Sequence, residues 1–137
     1  MRSNFRPFTI ALVFAFLFVT AASAQQLVKR TTYKSDSFDF GAGGTLSLTG
    51  APKGSVKVEG WNKNQVQIDA VIERNAATAA DLDDFGKVTG FVLEESIGKT
   101  SITSIGTHDK SYLKRTAKKF PKRLIGLPFK IDYVIKV

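Results

Sequence analysis

Seven lysines and arginines fall within residues 110–123, KSYLKRTAKKFPKR, with no acid among them. They are Lys110, Lys114, Arg115, Lys118, Lys119, Lys122 and Arg123, interleaved with Tyr112 and Phe120. Cations at this density attract polyanions such as nucleic acid, lipid headgroups or acidic polysaccharide. The plainer reading is a solvated loop, since charge runs usually serve solubility. Tyr112, Leu113, Thr116 and Phe120 approximate one side of a helix, which Pro121 would end.

Other residues invite chemistry less strongly. His108 is the only histidine, with Asp109 next to it. Neighbours on a strand point to opposite faces, so the pair makes no hydrogen-bonded dyad by itself. No GxSxG elbow marks a nucleophilic serine. An envelope hydrolase is therefore the weakest functional alternative. Asp81, Asp83 and Asp84 alternate as calcium ligands do, yet the glycine and distal glutamate of an EF-hand are missing. Acidic charge at a helix N-terminus explains them better. The GAGG run (residues 41–44) leads toward a strand, whereas a dinucleotide fingerprint leads into a helix. Trp61, in a turn beside Asn62, could stack on a sugar; folding over the neighbouring sheet is the commoner use. There is no cysteine, which excludes disulfides, thiol catalysis and zinc-thiolate sites. No catalytic residue, cofactor or metal is expected.

The elements that would carry these residues are mostly strands. In GTLSLTGAPKGSVKVEGWNKNQVQIDAVIER, apolar pairs recur at Leu46/Leu48, Val56/Val58 and Val66/Ile68. Each pair lies ten residues beyond the last, and Gly50 and Gly60 keep the same step. Polar residues intervene, and turn formers separate the runs. The pattern predicts short antiparallel strands in a meander, the third running through Ala70 and Ile72 to about Glu73. Residues 25–36 read as a lead-in strand or an arm, and Phe38 and Phe40 as a short edge strand. Thr78 with Asp81 three residues later resembles a capping box, which predicts one short helix at about 79–88 burying Leu82, Phe85 and Val88. Two strands follow, around Phe91–Leu93 and Ile102–Ile105, turning at Ile97–Lys99. A last strand over 129–137 places Ile131, Tyr133, Ile135 and Val137 on one face. Because the chain stops on that strand, the expectation is a truncated chain or a terminal strand that completes a sheet internally. The fold class is mainly β.

The N-terminus carries an export signal. Arg2 and Arg6 precede an apolar stretch from Phe8 to about Thr20, and Ala22-Ser23-Ala24 follows with small residues for a signal peptidase. The uninterrupted apolar core, Ile10 to Val19, is about half of the roughly 20 residues that span a bilayer. Residues 1–24 are expected to be a signal peptide cut between Ala24 and Gln25, leaving 25–137 as a single β-rich domain with no membrane span. Of the net charge of +8, the signal and the basic segment supply more than the whole, so the remainder is near neutral. Export disfavours nucleic acid as a partner. It leaves an anionic envelope surface or another envelope protein, in the periplasm, at the cell surface or outside.

The run from Gly44 to about Glu73, with Val56, Val58, Gly60 and Trp61, resembles the opening of a bacterial adhesin-like domain family of unknown function. Asp132-Tyr133-Val134-Ile135-Lys136-Val137 matches a later strand of that family. The resemblance implies an exported, glycine-punctuated all-β protein whose chain continues as a β-solenoid, and it brings no catalytic residues. Residue chemistry and resemblance together predict a non-enzymatic, adhesin-like cell-envelope protein. The alternative is binding of lipid headgroups, lipopolysaccharide or polysaccharide through residues 110–123.

Overall fold

A computed structural model of the chain describes residues 26–116 and 119–137. In chain order its elements are β1 (Val28–Asp39), β2 (Thr45–Thr49), β3 (Val56–Glu59), β4 (Gln65–Ala76), α1 (Ala79–Lys87), β5 (Gly90–Ser96), β6 (Lys99–Ile105), α2 (Lys110–Thr116), a 3-10 turn (Lys122–Leu124) and β7 (Phe129–Lys136). The protein is mainly β. One sheet has the order β1-β4-β7-β3, and the other β2-β6-β5.

Alternation along β4 and β7 builds the core. Val66, Ile68, Ala70 and Ile72 face inward from β4, and Phe129, Ile131, Tyr133 and Ile135 from β7. The two strands run antiparallel with Ile72 opposite Ile131, Ala70 opposite Tyr133 and Ile68 opposite Ile135. A small residue beside the tyrosine leaves room for its ring. The second sheet closes over this face. Phe91 of β5 meets Tyr133 edge-on with ring centroids 5.9 Å apart. The Tyr133 hydroxyl shares a 2.6 Å hydrogen bond with Ser104 of β6. Phe85 of α1 packs edge-on against Phe129 at 6.4 Å.

Three expectations hold closely. α1 starts at Thr78, whose hydroxyl accepts the Asp81 N–H at 3.1 Å, and it buries Leu82 and Phe85, with Val88 buried as its C-cap. The β5–β6 hairpin turns at Ile97-Gly98, where Gly98 takes φ 70, a left-handed conformation that costs glycine little. The last predicted strand forms as β7, which lies between β4 and β3 and is the strand through which β3 is joined to the rest.

The meander is corrected. β2, β3 and β4 do not pair with one another. β2 lies parallel to β6 in the second sheet, and β3 lies parallel to β7. Period-2 alternation reports which face of a strand is buried, not which strand sits beside it. The apolar β7 is the better neighbour for β4, and its insertion displaces β3 to the edge. There Val56 and Val58 are 43% and 62% exposed. The segments 25–36 and 38–40, expected as separate pieces, are largely one strand of 12 residues, β1, paired along the whole of β4. A second short helix, α2, forms inside the basic segment.

Candidate functional site

The basic segment is an excursion between β6 and β7 with a pinned frame. At its base the buried Thr107 hydroxyl donates to the Leu127 carbonyl at 3.1 Å. Asp109 accepts the Tyr112 N–H at 2.8 Å and starts α2 as an N-cap does. Leu113 and Leu124, 6% and 2% exposed, root the helix and the 3-10 turn in the interior. Tyr112 is half-buried. With Leu113 inward, 100° steps around the helix put Arg115 on the opposite side, Lys114 on the flank and Lys110 about 60° from Leu113 at the helix start; all three are exposed. Lys119 and Lys122 are exposed as well. Lys118 lies outside the described residues, as do Ala24 and Gln25 at the expected cleavage point.

Arg123 departs from the expected surface role. Its guanidinium forms an ion pair with Asp81, through Nη2 and a 3.1 Å bond from Nε. The Asp81 side chain is only 6% exposed. Arg123 beside it holds its carboxyl below the usual carboxylate range. Arg123 thus fastens the excursion to the start of α1 and is removed from the outward set.

Each of the three clustered aspartates has its own cation: Asp81 has Arg123, Asp83 has Arg30 and Asp84 has Lys87 at 2.7 Å. Among the described residues no group of three or more acids and histidines converges as a metal site would. His108 is exposed, and no hydrogen bond joins it to Asp109 or to a serine among the described residues. GAGG forms a tight connection from β1 to β2, closed by Gly44 N–H donating to the Gly41 carbonyl at 3.1 Å. Trp61 is half-buried; its indole N–H donates to the Gln65 carbonyl at 2.6 Å, and Lys63 sits 4.7 Å from the ring centroid. It closes the β3–β4 connection and holds a cation on one face, where a sugar would stack.

One residue escaped the reading of the sequence. Arg74 occupies the inward parity of β4, in line with Val66, Ile68, Ala70 and Ile72, and is 4% exposed. Its Nε donates to the Thr89 hydroxyl, Nη1 to the Thr32 hydroxyl at 2.9 Å and Nη2 to the Thr89 carbonyl at 3.3 Å. Thr89 is oriented in turn by donating to the Phe85 carbonyl at 2.8 Å. The signal was available: extending the two-residue period one step past Ile72 lands on an arginine.

Comparison with protein-family models, with curated proteins and with solved structures returned no match.

Proposed function

We propose that this chain is an exported, non-enzymatic cell-envelope domain that engages an anionic surface through the outer face of its basic segment. The observation that carries this reading is the pinned excursion: Leu113, Leu124 and the Arg123–Asp81 pair hold it against the domain, while Lys110, Lys114, Arg115, Lys119 and Lys122 are left to solvent. A positioned cation cluster loses less conformational freedom on binding than a floppy tail does. The N-terminal export signal and the resemblance to adhesin-like envelope proteins favour a surface over nucleic acid. Near the surface of an anionic membrane each such cation contributes about 1 kcal/mol.

Cosedimentation with vesicles tests this. The protein is expected to bind phosphatidylglycerol-containing vesicles and not pure phosphatidylcholine. The combined variant Lys110→Gln, Lys114→Gln, Arg115→Gln and Lys119→Gln is expected to bind at least about tenfold more weakly, with its melting temperature kept. Equal binding by variant and wild type would overturn the proposal.

A further inference from the structure

A second cationic feature lies away from that outer face. Between the edge strand β1 and strand β5, near the end of α1, a groove of about 430 Å³ is bordered by Thr32, Lys34, Ile72, Arg74, Phe91 and Tyr112, among others. Tyr112 is the only residue it shares with the basic segment. The groove exists because β1 presents polar side chains on the face that its neighbour β4 makes apolar. Arg30, Thr32 and Lys34 of β1 stand opposite Arg74, Ile72 and Ala70.

Arg74 is a buried cation with no counter-charge. It takes part in none of the ion pairs among the described residues, and all 12 acids of the chain are described residues. Burial, and secondarily the charge of Arg30, push its pKa down, the mark of a charge held where water does not compensate it. No carboxylate reaches its guanidinium, and the nearby Asp83 is paired with Arg30. A buried guanidinium is normally paired.

Its geometry leaves room for a partner. A guanidinium has five N–H donors, and Arg74 uses three: Nε and one on each terminal nitrogen. One N–H therefore remains on Nη1 and one on Nη2, donors that a carboxylate can accept. Two threonines fix the plane of the group, so its orientation is set before any ligand arrives. Gly86 lies beside it; a Cβ at that position would come to 3.9 Å from Nη1. Gly86 lies in the last turn of α1, and its lack of a side chain keeps the approach open. Lys34 adds a second positive charge, its ammonium donating to the Phe91 carbonyl at 2.9 Å and lying 4.1 Å from the Phe91 ring centroid.

We infer that this groove binds the carboxylate of a small organic acid, or of an acidic end-group, with Arg74 as the anchor. Lys34 is the second cation, and the half-buried Tyr112 at the border of the groove meets the apolar body of the ligand. The site is independent of the vesicle-binding face, and either could fail without the other.

Thermal melts of the purified protein in sodium benzoate, inorganic phosphate or sodium chloride, at matched ionic strength and pH 7, test the inference. Benzoate is expected to raise the melting temperature saturably, above the chloride control and above phosphate. Arg74→Gln and Gly86→Leu should each lose that rise. The second variant blocks the approach while leaving Arg74 in place, so it reports on the site even if the first fails to fold. Lys34→Gln should weaken apparent benzoate affinity at least about threefold, measured against its own melting temperature in chloride. No benzoate effect above chloride, or an undiminished effect in Gly86→Leu, would overturn the site. A larger shift with phosphate than with benzoate would overturn the carboxylate assignment.

Discussion

Arg123 and Arg74 show how neighbours decide what an arginine does. Arg123 stands in a run of cations, yet it is the one engaged with a carboxylate that is almost fully buried. Its removal should leave the Asp81 carboxylate without its cation and without the two bonds Arg123 donates to it. The native pair depresses the Asp81 pKa below its ordinary 3.8, so its contribution is present above that value and is lost as the pH falls through the depressed one. Arg123→Gln is therefore expected to melt below wild type at pH 7, and the gap should close as the pH is lowered toward 3; melts across that range check it. A gap that stays constant with pH would locate the effect elsewhere. At Gly86 the opposite sign is expected. Alanine there replaces a glycine in the last turn of α1 and meets Nη1 of Arg74 only at ordinary contact distance. Without ligand, Gly86→Ala should gain up to about 0.5 kcal/mol by denaturant titration.

Among the elements, side-chain periodicity made most strands and α1 legible, because each reports its buried face locally. Leu82, Phe85 and Val88 were readable for that reason, as was the β7 stripe. Pairing was not legible. Val56 and Val58 look equivalent to Val66 and Ile68 in the sequence; their difference arises because β7, from the far end of the chain, takes the place beside β4. The length of β1 was hidden as well, since its inward positions Arg30, Thr32 and Lys34 are polar and show no apolar alternation. Arg74 was missed where an apolar period ends in a charge, and only the tertiary structure shows the empty place beside it. Two contacts test the arrangement of strands. A Cβ on Gly54 would fall 1.9 Å from the Ile131 carbonyl oxygen, so Gly54→Ala must push the β2–β3 connection away from β7. A loss of about 1–3 kcal/mol is expected in denaturant unfolding. Tyr133→Phe removes the hydroxyl link between the two sheets while Ser104 keeps its bond to the Gly50 carbonyl. That variant should lose about 1 kcal/mol.

At the scale of the whole molecule, charge is divided by position. A near-neutral two-sheet body carries an outward set of cations on a pinned excursion and one inward cation without a partner. Membrane-like surfaces and small carboxylates are different ligands for those two features, and their tests are separable. The proposed contact with an anionic envelope surface requires export, and that part of the proposal rests on residues 1–24. The most direct measurement is fractionation of a bacterium expressing the full chain, with mass and N-terminal sequence determined on the recovered protein. The account predicts a chain starting at Gln25 in the periplasmic, envelope or external fraction. A chain retaining residues 1–24 and found in the cytosol would contradict it.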